Sequence, residues 1–304
     1  MKAHADTQQE KSSAAPDSTA IARLRAHPRF PEAAKYIAEA LTEIYEGNRI
    51  MNTMLNERAR GQIGYLILMM QWASSSQHAA QGVTMARMKA ACTRMNYCSP
   101  NRVESIMAVM RLFGYIRLET DPYDHRVKVI VPTEKLIGNY VERWRRHFHA
   151  MTLIMPEGEA GLAALKHEHF AGAFVREISR EYSAGLRVAN ASREIDTFLD
   201  RNCGMMILLF LVSKGVPDET ITGALRATVS ISGLARRFGV SRPHVRKLLA
   251  DAEAEGLVGD ATGETPIRLL PRAIEGFEKF YASTFLTFAQ AIRAAAQEME
   301  DIQG

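Results

Sequence analysis

The strongest constraint on this fold is that the chain carries one pattern twice, so what is buried in one copy must be buried in the other. Residues 92–116, CTRMNYCSPNRVESIMAVMRLFGYI, and 234–258, LARRFGVSRPHVRKLLADAEAEGLV, align without gaps at the offset that carries Val103 to Val245. Identities are few: Arg94/Arg236, Ser99/Ser241, Val103/Val245, Ala108/Ala250 and Gly114/Gly256. The apolar pattern agrees better. Val103, Ile106, Met107 and Met110 answer Val245, Leu248, Leu249 and Ala252, a spacing that lines one helical face. Collinear matches flank this core. GYLILMM from Gly64 pairs with GMMILLF from Gly204, EGNRIMN from Glu46 with AGLRVAN from Ala184, and Val131-Pro132 with Leu270-Pro271. One unit is therefore expected over 20–152 and a second over 157–300. A flexible arm at 1–19 precedes them, and a junction at 151–161 contains Pro156 and two glycines.

A chain of 304 residues, 47% apolar and 24% charged, is ordinary for two globular domains. Its apolar runs at 63–70 and 205–212 fall far short of the ~20 residues that cross a bilayer, so both read as buried core helices. The N-terminus has no apolar central stretch and is not a secretory signal, which makes a cytoplasmic location the expectation. Three cysteines are too few for a disulfide scaffold. There is no Walker A loop, G-x-G-x-x-G, G-x-S-x-G, H-E-x-x-H or C-x-x-C, so the chain reads as a non-enzyme without a cofactor. A net charge of +4 permits nucleic-acid binding without requiring it.

The second unit shows its local plan clearly. Ser230 or Ser232 can cap a helix carrying Leu234, Ala235 and Phe238, and Gly239 supplies a tight turn. Ser241 caps the next helix, Pro243 is tolerated in its first turn, and Gly256 ends it. Leu257-Val258 and 267–270 then flank GDATGETP as strand, turn and strand. In the first unit, 115–119 and 126–131 read as strands around the turn at 121–125. Here Thr93 takes the place of the small residue and Tyr97 that of the glycine, and Asn96 can carry the turn instead.

A helix-turn-helix followed by a hairpin is a winged helix, here set between long helices. That order resembles the MarR family of bacterial transcription regulators. The segment DPYDHRVKVIVPTEKL is similar to that family's wing, with Asp124 and Arg126 in its acidic-then-arginine positions and Pro132-Thr133-Glu134-Lys135 opening the next helix. The resemblance implies homodimers with one reader head per subunit. Two units in one chain would form a mainly α-helical, pseudo-twofold intrachain dimer, either monomeric or assembled further. The partner is expected to be double-stranded DNA, read on an imperfect repeat by two unlike heads.

DNA recognition requires positive charge against phosphates and hydrogen-bonding groups against base edges. The second head offers Arg236, Arg237, Ser241, Arg242, His244, Arg246 and Lys247, with no acidic residue from 231 to 250. The first head offers Arg94, Ser99, Asn101 and Arg102, weakened by Glu104, and its wing adds Arg126 and Lys128. The second wing is acidic, with Asp260 and Glu264 and only Arg268 nearby.

The remaining features read as structural. Cys92 aligns with Leu234 and Cys98 with Val240, so both read as small core hydrophobes rather than redox sensors. His147, His149, His167 and His169 form H-x-H pairs that do not share a helical face, and they read as exposed polar residues rather than a zinc site. Met51, Met54, Met69, Met70, Met85 and Met88 read as core filler. The family resemblance adds an alternative, that they line a pocket for a small-molecule effector. Phe277, Phe280, Tyr281, Phe285 and Phe288 form a stripe expected to pack the units together with Trp144 and Phe148. Two rival readings stand beside the regulator: a plasmid replication initiator with tandem winged helices, and an interaction scaffold that has lost DNA binding.

Overall fold

The structure, a computed structural model, describes residues 17–45, 58–73, 82–95, 97–183, 191–260 and 266–303. Their order is α1 (Ser18–Arg25), α2 (Phe30–Tyr45), α3 (Arg58–Ala73), α4 (Met85–Arg94), α5 (Pro100–Leu112), β1 (Ile116–Thr120), β2 (Lys128–Pro132) and α6 (Glu134–Thr152). The second half runs α7 (Glu157–Ala164), α8 (Phe170–Ser183), a 3-10 turn (Arg193–Ile195), α9 (Asp196–Leu199), α10 (Gly204–Lys214), β3 (Gly215–Pro217) and β4 (Leu225–Ala227). It closes with α11 (Ile231–Phe238), α12 (Arg242–Ala254), β5 (Val258–Gly259), β6 (Ile267–Leu269) and α13 (Pro271–Gln303). The protein is mainly helical, with 13 α-helices among the described residues, and none of these is long and apolar enough to cross a membrane. α1 begins at Ser18, so the end of the expected arm is already helical. Residues 1–16, the EGNRIMN/AGLRVAN match, Met51, Met54, Asn96 and Glu264 lie outside the described residues.

The two apolar runs are core helices, as expected. α10 buries every residue from Met206 to Ser213, and α3 buries Ile63 and Leu66 to Met69. A helix apolar on all sides must be surrounded. Caps fix the following helices: the Thr84, Ser230 and Ser241 hydroxyls accept the amides of Arg87 (3.3 Å), Gly233 (3.0 Å) and His244 (3.2 Å). Ser99 makes no such bond.

The same closing bonds recur in the two halves. α5 ends with the Gly114 amide on the Arg111 carbonyl and the Tyr115 amide on that of Met110. α12 ends with Gly256 on Glu253 and Leu257 on Ala252, and both glycines are left-handed (φ 72° and 68°). The preceding helices follow a register one residue greater. The Tyr97 amide bonds the Cys92 carbonyl as the Val240 amide bonds that of Ala235. Cys92 therefore answers Ala235, not Leu234, and Thr93 is exposed rather than the small residue of the turn. The gap-free alignment fails here because the first turn holds one extra residue. Cys98 is half-exposed at the edge of the core rather than filling Val240's place. The hairpins differ too. Ile116 pairs with Pro132 and Val258 with Leu269, so Pro132 answers Leu269 and the Val131-Pro132/Leu270-Pro271 pairing is displaced.

Both hairpins are antiparallel. In the first half Thr84 bridges to Val129, and in the second β4 pairs along β6, giving a sheet ordered β3-β4-β6-β5. The β3–β4 hairpin was not foreseen. Its turn is closed by the Asp218 carboxylate, which accepts the Thr220 (2.8 Å) and Ile221 (3.1 Å) amides.

Between the halves the packing is reciprocal. α1 lies on α13 and α7 on α6, while α2 lies on α10 and α8 on α3. The first two helices of each half thus pack against the other half, and one continuous core runs through both. The aromatic stripe contributes as expected: Phe288 meets Phe148 (6.2 Å between centroids) and Phe174 (5.3 Å), and Phe285 meets Phe30 (6.4 Å). Trp144 packs on Phe174 (5.2 Å). The junction is a tight helical corner. A Cβ on Gly158 would stand 2.3 Å from the Thr152 nitrogen.

His147 corrects an expectation. It is 6% exposed, and its ring lies 5.2 Å from that of Phe288 and 6.2 Å from that of Tyr281. Its Nδ1 bonds the Arg143 carbonyl (2.6 Å). It points inward because the stripe of α13 covers its side of α6. His149, His167 and His169 are exposed as expected, and no metal-binding cluster occurs among the described residues.

Candidate nucleic-acid interface

In the second half, Ser241 starts α12 where the chain leaves the Gly239 turn. Val245, Leu248 and Leu249 anchor the inner face, so Arg242, Arg246 and Lys247 stand outward. Arg242 and Arg246 are exposed and have no hydrogen-bond or ion-pair partner among the described residues, as is Arg236 at the end of α11. Their charges are available to an anion, whereas of the amides that open α12 Pro243 has none and that of His244 is taken by Ser241. Ser241 is exposed, and its oxygen already accepts the His244 amide, leaving its O–H to donate.

Three other predicted residues are engaged in the fold. Arg237 lies over the Phe210 ring, 4.3 Å from its centroid, with its Nε buried. His244 Nε2 donates to the Asn202 carbonyl (2.8 Å), tying α12 to the loop before α10. Lys247 shares Asp251 (3.2 Å) with Arg201, so its charge is partly offset. In the β5–β6 hairpin, Arg268 is held between Asp218 (2.7 Å) and Asp260 (2.6 Å). The Thr220 hydroxyl and then the Arg268 guanidinium hold the Asp218 carboxyl well below the usual carboxylate range. This hairpin offers no free cation among its described residues.

The first half distributes its charge differently. Arg94, Ser99, Asn101 and Arg102 are exposed at the end of α4 and the start of α5. Glu104 does not stand alone, because Lys89 of α4 forms an ion pair with it. The β1–β2 turn is rigid. The Asp121 carboxylate accepts the Tyr123 (2.8 Å) and Asp124 (3.1 Å) amides, and the Asp124 carboxylate accepts the Arg126 amide (3.0 Å). This holds the Arg126 side chain exposed, with no partner among the described residues. Lys128 donates to the Thr120 hydroxyl (2.6 Å) and keeps its charge.

Sequence reasoning missed three contributors. Tyr123 is 87% exposed at the hairpin tip, and an aromatic in the turn DPYDH is the signal that marks it. Lys89 and Asn202 act across elements, and no local pattern reveals them. As for an effector site, Met69 and Met88 are core residues. A cleft of about 370 Å³ between α2 and α6 is lined by Tyr36, Glu39, His149 and Leu153, without a methionine. No protein-family model, curated protein or solved structure matches this chain.

Proposed function

We infer that the chain is a sequence-specific DNA-binding transcription regulator of the winged helix-turn-helix type. Its two MarR-like units are tandem copies forming a pseudo-twofold intrachain dimer. The observation that carries this reading is the outer surface of α11 and α12. Arg236, Arg242 and Arg246 stand there unpaired beside a helix N-terminus, on a helix that follows a short turn and precedes a hairpin. Arginine forks onto guanine O6 and N7 or clamps a phosphate. The recurrence of the turn bonds and the exchange of helices between halves support the duplication. The two heads are unlike. The second presents cations on its helix while Arg268 is neutralised in its hairpin, and the first presents Arg126 and Lys128 on its hairpin.

Fluorescence anisotropy with duplex DNA tests this reading. Arg242→Ala with Arg246→Ala weakens binding more than Arg126→Ala does, by about 2–5 kcal/mol for two lost base or phosphate contacts. Log affinity falls linearly with log salt concentration. Salt-independent binding, or none, favours instead a scaffold that has lost DNA recognition.

A further inference from the structure

One edge of the first hairpin is left open. The Tyr115 carbonyl accepts the Thr133 amide (3.0 Å), and the Val127 carbonyl accepts the Asp121 amide (3.0 Å). With Ile116 opposite Pro132, this phase turns the backbone groups of Arg117 and Glu119 towards β2. Those of Ile116, Leu118 and Thr120 point the other way, and no described residue pairs with them. The far edge of β2 is taken, because the Ile130 amide donates to the Val83 carbonyl (2.7 Å). An open edge is a template for another strand, and proteins blunt it with proline, shortness or a bulge. β1 has none of these over its five residues. The edges of the second half do: β3 ends in Pro217, and β5, which answers β1, has two residues. Four large hydrophobics are exposed among the described residues. Three of them, Leu118 (39%), Tyr123 at the hairpin tip and Leu112 (79%) at the end of α5, lie on β1 or flank it.

We propose that β1 pairs antiparallel with β1 of a second copy of the chain, on a twofold axis through Leu118, and closes a homodimer. Leu118 exchanges both backbone bonds with the partner's Leu118, and Ile116 exchanges its own with the partner's Thr120. Charge selects this partner and this register. Arg117 and Glu119 stand on the face opposite Ile116, exposed and bonded to each other (Nε to Oε1, 2.5 Å). Pairing about Leu118 sets Arg117 opposite the partner's Glu119 and Glu119 opposite the partner's Arg117, so the run Arg-Leu-Glu is complementary to itself. A parallel, in-register pairing would set like charges side by side. The antiparallel direction also carries the partner's hairpin tip past Ile116 towards the end of α5, where Leu112 is exposed. Each chain has one such edge, so the contact is isologous and stops at two copies. Arg126 and Lys128 lie on the β2 side of the hairpin and are not used. The pairing rests on β1 alone and not on the proposed function.

Sedimentation equilibrium of the full chain over a concentration series tests this pairing. The parent is expected to pass from 33.9 kDa to twice that mass with a single dissociation constant. Arg117→Glu and Glu119→Arg each set like charges opposite one another and raise that constant about tenfold. Both side chains are exposed, so circular dichroism of each variant matches the parent. The two variants mixed in equal amounts recover the dimer, as does one chain carrying both substitutions, because carboxylate again faces guanidinium across the axis. A parent that stays monomeric, assemblies larger than two copies, or a dimer that each single substitution leaves unchanged overturns the pairing. So does a mixture that associates no more tightly than either variant alone. A chain that dimerises in this way and binds no DNA refutes the proposed function instead and leaves the pairing standing.

Discussion

His147 illustrates at the scale of one residue how packing changes the chemistry of a side chain. Enclosed by Tyr281, Phe285 and Phe288, its imidazole loses hydration, and burial pulls its pKa down to about 3. The unfolded chain protonates the same ring near 6.5. Between these values the unfolded state binds the extra proton. The stabilisation is complete above about 6.5 and is lost as pH falls towards about 3, at about 1.4 kcal/mol per pH unit. Denaturant titrations from pH 7 to 5, above the range where carboxylates protonate, read this slope directly. His147→Gln, which does not titrate, has the shallower slope of the two proteins. Equal slopes would show that His147 is accessible to protons in the folded chain.

At the scale of elements, two glycines separate a conformational demand from a steric one. Gly239 ends α11 at φ 67° with open space around it, so Gly239→Ala costs about 1 kcal/mol from backbone strain alone. Gly158 sits where α7 crosses the end of α6, and a Cβ there meets the backbone of Met151 and Thr152. Backbone cannot yield as a side chain does, so Gly158→Ala costs more, towards the upper end of about 1–3 kcal/mol. Chemical denaturation of the two variants gives the order, and a neutral Gly158→Ala would mean that the corner opens easily. Local elements were legible in the sequence for the same physical reasons. The spacing of Val245, Leu248 and Leu249 gives a helix with one buried face, and Ser230, Ser241, Gly239 and Gly256 mark its neighbours' ends. Partners were not legible. An apolar stripe shows that a face is buried but not against which helix, so neither the exchange of α2 and α8 nor the pairing of His244 with Asn202 could be read. β3 and β4, at three residues each, are too short for a periodic signal. The gap-free alignment hid the inserted Cys98 because α5 and α12 match so regularly beyond it.

For the whole molecule, the exchange of helices makes the halves mutually dependent. Phe30 and Phe170 begin α2 and α8, each tied by its amide to the carbonyl of a histidine three residues before (His27 at 2.9 Å, His167 at 3.2 Å), and both rings are fully buried. Removing residues 155–304 would strip α8 from α3 and α10 from α2, leaving apolar surface uncovered on both helices. Residues 1–154 alone are therefore expected to associate or to lack a cooperative melt, as size-exclusion chromatography and circular dichroism would show. A stable monomer would mean that the halves are independent domains. The same body presents two unlike charged surfaces, Arg242 and Arg246 on a helix in one half and Arg126 on a hairpin in the other. The central claim is that these surfaces read DNA as two different heads. Selection of bound duplexes from random sequence at fixed salt, followed by base-by-base substitution in the enriched site, tests it most directly. The account predicts two half-sites with different base preferences, the stronger one lost in Arg242→Ala with Arg246→Ala. Two identical half-sites, or no enrichment at all, would contradict it.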